Sequence, residues 1–257
     1  MNKYILFIFL IILFLLNIFF PYLIKNVLGI FEVKQNKEEE IFDVVIAHYK
    51  EDLSWVDKML PKNCRIFIYT KSNEKPNCKR NYIHKYLKNN GREGNTYLYH
   101  IIENYNNKLN KNTLFLPGSC DLLYKKINLY LILKNIGKYK FNSVNLINNK
   151  ILIYGDNYFL LNPMINRKSY CSTYKKNKHK DCKLIFYKFK NINEFKKYFN
   201  LNNNYICYNG IFSIKTNIIY NRKKNYYIEL FNHLNNGDNA LNNHFLERNW
   251  YNVFQKV

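Results

Sequence analysis

The chain has 257 residues, with 40 Lys and Arg against 18 Asp and Glu for a net charge of +22. An excess of that size favours polyanions, anionic lipid surfaces or phosphate-bearing ligands, although lysine, asparagine, tyrosine and isoleucine rise together here as AT-rich coding produces them. The six cysteines include no Cys-x-x-Cys pair, and Cys171, His179 and Cys182 fit no zinc spacing, so no zinc module is expected.

The N-terminus speaks of place. From Tyr4 to Ile24 the chain is almost wholly Ile, Leu and Phe, interrupted by Asn17, Pro21 and Tyr22. Such a run is long enough to cross a hydrocarbon core of about 30 Å. No small-residue cleavage site follows Phe20, so residues 1–32 are expected to be an uncleaved, single-pass membrane anchor. Lys3 lies before the span and Lys25, Lys34 and Lys37 after it, which leaves the orientation unset. Residues 33–40 (Val-Lys-Gln-Asn-Lys-Glu-Glu-Glu) form a polar stem. Residues 41–257 are long enough for a single domain with a sizeable core, and no internal repeat divides them.

Asp43 to His48 is an apolar, β-branched run of the kind that forms a buried parallel strand. It breaks at Tyr49-Lys50-Glu51-Asp52, and Leu53, Val56 and Leu60 then keep helical spacing. Arg65 to Tyr69 predicts a second buried strand, ended by Thr70-Lys71-Ser72-Asn73. After a basic segment comes Asn90-Gly91-Arg92-Glu93-Gly94-Asn95-Thr96, a glycine-bracketed loop that runs into a helix with Tyr97, Ile101 and Ile102 inward. Asn95 or Thr96 is expected to cap that helix, whose free N–H groups suit an anionic or polyhydroxylated ligand. Thr113 to Leu116 predicts a third strand, broken by Pro117-Gly118-Ser119-Cys120-Asp121, and Leu122 to Asn135 a helix.

The second half changes character. Val144 to Ile147 and Ile151 to Tyr154 flank Asn148-Asn149 and read as a hairpin. Gly210 to Ile214 predicts a further strand, followed by one helix over about 218–234 and a last helix over about 239–254. Strands alternating with helices imply an α/β fold with a mixed, mainly parallel sheet flanked by helices. Ligands in such sheets bind at the carboxyl ends of strands, where Tyr49 to Asp52, Thr70-Lys71 and Gly118 to Asp121 lie.

Val44 to Trp55 resembles the opening of the domain-of-unknown-function 3431 (DUF3431) family. The family's Gly-Arg-Glu-x-x-Thr-Tyr-Leu-x-His-Ile-Ile-x-Asn-Tyr block is matched by Gly91 to Tyr105, its Phe-Leu-x-Gly strand end by Phe115 to Gly118, its Gly-Ile-Phe strand by Gly210 to Phe212, and its Leu-Glu-Arg-x-Trp by Leu246 to Trp250. The chain departs from it at Lys50, where relatives carry Asn, and after Gly118, where Ser119-Cys120-Asp121 replaces His-Pro-Phe-Asp. The strand pattern is also similar to glycosyltransferases of the GT-A type, which implies a nucleotide-sugar donor and a glycan acceptor. The Asp-x-Asp metal motif of that class is absent, so the resemblance implies metal-independent transfer with no cofactor, in which cations neutralise the leaving diphosphate.

Candidate roles follow. On the last helix His244, Glu247, Arg248 and Tyr251 share one face. Glu247 is the candidate general base, with Glu93 and Asp121 as further catalytic candidates. His48, Glu51, Asp52, Lys71, Arg92, His244 and Arg248 are candidate substrate-binding residues. His100 reads as a packed histidine. Two classes stand side by side: a membrane-anchored transferase in an ER- or Golgi-like lumen or on a viral or host membrane, and a non-catalytic module that binds a glycan or other anionic ligand. Nucleic acid is disfavoured, because the lysines are dispersed and the chain carries an expected anchor.

Overall fold

The computed structural model describes residues 42–106, 108–147, 150–154, 189, 192–201, 207, 210–234 and 241–255, with backbone alone at 144–147, 150–154 and 241. The expected anchor and stem, the Asn148-Asn149 turn, Cys171 and Cys182 lie outside these residues. Among the described residues no helix is long and apolar enough to cross a membrane.

In chain order the elements are β1 (Phe42–His48), α1 (Ser54–Met59), β2 (Cys64–Thr70), β3 (Ile83–Tyr86), α2 (Arg92–Asn104), β4 (Asn112–Pro117), α3 (Leu123–Leu133), β5 (Phe141–Ile147), β6 (Lys150–Tyr154), α4 (Ile192–Tyr198), β7 (Phe212–Lys215), α5 (Thr216–Ile219), α6 (Lys224–Leu234) and α7 (Leu241–Val253). The strands form one seven-stranded sheet in the order β3-β2-β1-β4-β7-β5-β6. β3, β2, β1 and β4 are mutually parallel. β7 is antiparallel to β4, β5 to β7 and β6 to β5, so the sheet is mixed, and β5 runs with the parallel set.

The apolar runs are strands because both of their faces are covered. Val44, Ile46, Ile66, Ile68, Leu114 and Leu116 pack under α1 and α3 with Trp55, Val56, Leu129 and Ile132. Val45, Phe67, Tyr69, Phe115, Phe212 and Ile214 face the other way, against Tyr97, Leu98 and Ile101 of α2, Tyr227 and Leu230 of α6, and Phe245, Trp250 and Val253 of α7. The period-two alternation thus divides each strand between two cores, one per face. The sheet lies between two layers of helices.

Asp43 ties the amino-terminal end of the sheet. It is fully buried and accepts Arg65 Nε at 2.7 Å and Nη2 at 3.0 Å, together with the backbone N–H and side-chain amide of Asn110, both at 2.8 Å. This carboxylate is therefore structural and lies at the opposite end of β1 from the expected site.

Three expectations are corrected. β3 lies in the basic segment for which the sequence predicts no element. It is a short edge strand with Ile83 and Tyr86 exposed, so no apolar pattern marks it, and pairing with Phe67–Thr70 creates it. The single helix expected over 218–234 is two, α5 and α6. The Tyr227 hydroxyl donates to the Ile219 carbonyl at 2.7 Å and satisfies the end of α5, while the polar run Asn221-Arg222-Lys223 turns between them. Third, α2 is not capped by Asn95 or Thr96. It begins at Arg92 with Gly91 as its left-handed cap residue, and both expected caps are buried within the helix.

Candidate functional site

The carboxyl ends of β1, β2 and β4 remain stitched beyond the strands. Lys71 N–H donates to the His48 carbonyl at 2.9 Å, and Gly118 N–H to the Ala47 carbonyl at 2.7 Å. His48 is buried beneath this rim, with Nε2 3.2 Å from the Glu51 carbonyl and Nδ1 3.1 Å from Thr70 Oγ1. Thr70 Oγ1 is in turn 2.9 Å from His84 Nε2. A carbonyl only accepts, so a neutral His48 carries its proton on Nε2 and takes the Thr70 hydroxyl proton at Nδ1, and His84 Nε2 donates to Thr70. Burial, then the neighbouring His48 and Lys75, push His84 below its ordinary value, consistent with a neutral relay.

The acids after β1 serve the loop. Glu51 folds back so that its carboxylate accepts the N–H groups of Tyr49 at 2.7 Å and Lys50 at 3.1 Å. A methyl added at Gly118 would sit 2.7 Å from Glu51 Oε2, so the glycine makes room for the carboxylate. Asp52 accepts the N–H and hydroxyl of Ser54, each at 2.9 Å, and the Asn77 amide. The Ser54 N–H, the Asn77 amide and the Ser54 hydroxyl hold Asp52 below the usual carboxylate range. Trp55 Nε1 donates to the Gly118 carbonyl at 2.9 Å, joining α1 to the loop after β4. Between the loops after β1 and β2 lies a cleft of about 320 Å³ lined by Tyr49, Lys50, Lys71, Ser72, Asn73, Glu74 and Asn89, with Lys50 Nζ 3.1 Å from Glu74 Oε1.

The glycine loop is built around Lys71. Its ammonium, 8% exposed, donates to the Asn90 and Arg92 carbonyls and lies 3.3 Å from Asn95 Oδ1. Burial lowers it to about 7, while Glu93 pulls it upward. Gly91 and Arg92 both take left-handed backbone, φ 63° and 48°, which turns the chain sharply into α2 and is an uncommon conformation for arginine.

α2 and α7 lie side by side in ascending register. Arg92 faces His244, Gly94 packs on Leu246, and the rings of Tyr97 and Trp250 are 5.7 Å apart. The two helices therefore run parallel, and both present their amino-terminal ends, with the partial positive charge of the helix dipole, at the same place. That place follows the carboxyl end of β3, on the strand-end rim. There Arg92 Nη1 is 3.1 Å from His244 Nε2 and Arg92 Nε is 3.7 Å from Glu93. Glu247 lies 3.7 Å from His244 Nδ1 and 3.8 Å from Arg248 Nη1, which donates to the His244 carbonyl at 2.9 Å. Arg donates only, so His244 Nε2 is an acceptor and Nδ1 carries the proton toward Glu247. Burial opposes the charge on Glu247, but the His244 hydrogen bond and the Arg248 and Arg92 charges outweigh it and hold the carboxyl below its usual range. Glu93 is positioned from behind by Gly210, where a methyl would come 3.1 Å from Glu93 Cγ.

The structure thus brings Arg92, Glu93, His244, Glu247 and Arg248 into one charged cluster, although Arg92 and His244 stand 152 positions apart. Lys71 touches the loop that carries the cluster, whereas His48, Glu51 and Asp52 are committed to the neighbouring loops. Asp121 is exposed on the loop between β4 and α3, outside the cluster's hydrogen bonds and ion pairs. Unforeseen from sequence are the buried polar atoms beside the cluster. Arg248 Nε, Asn95 Nδ2 and both amide atoms of Asn243 have no hydrogen-bond partner among the described residues. A polar ligand is the kind of group that satisfies such atoms. Among the described residues no group of three or more His, Cys, Asp or Glu could hold a metal ion. His100 is fully buried, with Nδ1 2.9 Å from the Tyr69 hydroxyl, and burial drives it down to about 3, a neutral packed histidine.

The model of the family described as "Protein of unknown function (DUF3431)" matches residues 44–124, from β1 to the start of α3, and supports the resemblance. The glycine loop falls within that stretch, and the Gly210–Phe212 and Leu246–Trp250 blocks lie beyond it. No curated protein and no solved structure matches the chain.

Proposed function

We propose that the protein is a membrane-anchored glycosyltransferase that uses a nucleotide-sugar donor without a metal ion. The observation that carries this reading is the meeting of Arg92 and Arg248 with two parallel helix starts at the strand-end rim. Helix N-termini and arginine forks both bind phosphate oxygens, and together they offer the leaving diphosphate the positive charge a metal otherwise supplies.

In the proposed reaction the acceptor hydroxyl oxygen attacks the anomeric carbon as the bond from that carbon to the phosphate oxygen breaks. The nucleoside diphosphate leaves with the bonding electron pair, and the hydroxyl proton passes to Glu247. His244 and the two arginines keep Glu247 ionised and ready to accept it. Glu93, held beside Arg92 by Gly210, is the second candidate for this role.

One observation favours the alternative, a non-catalytic module for a glycan or other anionic ligand: both glutamates are already paired with arginines, as in a static ion-pair network. Thermal shift of the full chain against uridine, guanosine and cytidine nucleotide sugars, with a chelator present, tests the donor. Stabilisation by one donor together with release of its nucleoside diphosphate is expected. Stabilisation without release favours the binding module, and no stabilisation by any donor removes the transferase.

A further inference from the structure

We infer that the first turn of α3 docks on an anionic lipid surface, with Leu122, Leu123 and Tyr124 entering the bilayer interface and Lys125 and Lys126 meeting the head groups. β4 ends at Pro117 on the strand-end rim, and the next loop delivers three consecutive large apolar residues to solvent. Leu123 is 75% exposed, Tyr124 45% and Leu122 43%. The inward face of α3 is occupied further along by Asn128, Leu129 and Ile132, so this turn contributes nothing to the core. Isolated exposed apolar side chains are ordinary, but three in succession on one turn mark a contact surface.

The neighbouring charge identifies what covers it. Between Gly118 and Asn135 the chain carries Lys125, Lys126 and Lys134 against the single acid Asp121. Lys125 Nζ reaches back to Ser119 Oγ at 2.6 Å and lies 5.9 Å from the centre of the Tyr124 ring, while Lys126 is exposed. Aliphatic side chains with an adjoining tyrosine and lysines match the depth profile of a bilayer interface, apolar below and cationic at the head groups. A second copy is a poorer occupant, since it would bring together two chains of net charge +22. Docked in this way, the strand-end rim opens toward the membrane rather than away from it.

The test uses the full chain on phosphatidylcholine vesicles with brominated acyl chains, with or without phosphatidylserine. Trp55 and Trp250 are 3% and 0% exposed, so the parent protein supplies little quenchable fluorescence. Leu123→Trp is expected to be quenched on phosphatidylserine vesicles, while Lys108→Trp, exposed beside Arg65 at the amino-terminal end of the sheet, is not. Lys125→Gln with Lys126→Gln, added to Leu123→Trp, should weaken docking roughly 25-fold, about fivefold per lysine. Tyr124→Trp serves as a second probe if Leu123→Trp fails to fold. Quenching at position 123 or 124 no greater than at 108 overturns the inference, as does equal quenching without phosphatidylserine.

Discussion

Gly91→Ala should be among the most damaging single-methyl changes in the domain. The backbone at Gly91 has φ 63°, a conformation that costs an L-residue about 1–2 kcal/mol. The new Cβ would stand 2.4 Å from Asn95 Cβ and 2.7 Å from the Leu234 carbonyl oxygen. Neither neighbour yields cheaply, because Asn95 is locked inside α2 and the carbonyl belongs to the last residue of α6. Overpacking of this kind adds about 1–3 kcal/mol, so a total near 3 kcal/mol is expected. For a domain of this size that lowers Tm by roughly 6–12 °C. Gly94→Ala is the internal control. Its methyl meets the side-chain tips Leu246 Cδ2 at 3.1 Å and Leu234 Cδ1 at 3.6 Å, which can move. The gain of up to about 1 kcal/mol from replacing a helical glycine offsets that crowding. Urea unfolding followed by the fluorescence of buried Trp55 and Trp250 separates the two variants. Equal losses, or a loss below about 1 kcal/mol at Gly91, would refute the reasoning.

Glu247→Gln should lower turnover about 10²–10⁴-fold while leaving donor affinity nearly unchanged, as read by initial rates and calorimetry; full activity would move the base role to Glu93. Asp43→Ala should cost about 3 kcal/mol in urea unfolding by leaving Arg65 and Asn110 without their shared acceptor, with Asp43→Asn milder. Lys71 gives a pH signature. Burial sets its folded value at about 7, below the roughly 10.4 of an unfolded lysine, so the unfolded chain binds more protons between these limits. Unfolding free energy should therefore rise as pH climbs from about 7 to about 10, and Lys71→Met should flatten that slope; a slope unchanged in the variant would contradict it.

The strands legible in advance are those whose runs are apolar on both faces, such as Val44–Ala47, Ile66–Tyr69 and Leu114–Leu116. Continuous apolarity announces a buried strand but conceals which residue joins which core, and the division of Val45 from Val44 and Ile46 appears only on folding. β3 escaped because an edge strand borrows its hydrogen bonds from β2 and needs no apolar face. In the site, helical spacing of His244, Glu247 and Arg248 together with the strand-end rule pointed toward the cluster that Arg92 and Glu93 complete. Asn95 has the residue type of a cap, but local rules do not foresee a distant lysine, and its oxygen faces Lys71 instead. His48 and Glu51 are polar residues at the right address whose partners, Thr70 and the backbone N–H groups of Tyr49 and Lys50, depend on how the loops fold.

The most direct measurement is calorimetric titration of the full chain with nucleotide sugars in the presence of a chelator, comparing the parent with Arg92→Ala and Arg248→Ala. Saturable binding of one donor is expected, weakened more than about tenfold by each substitution, as loss of a charged hydrogen bond to phosphate dictates. Binding of equal strength in all three proteins, or no binding by the parent, would contradict a diphosphate seat at the paired helix starts.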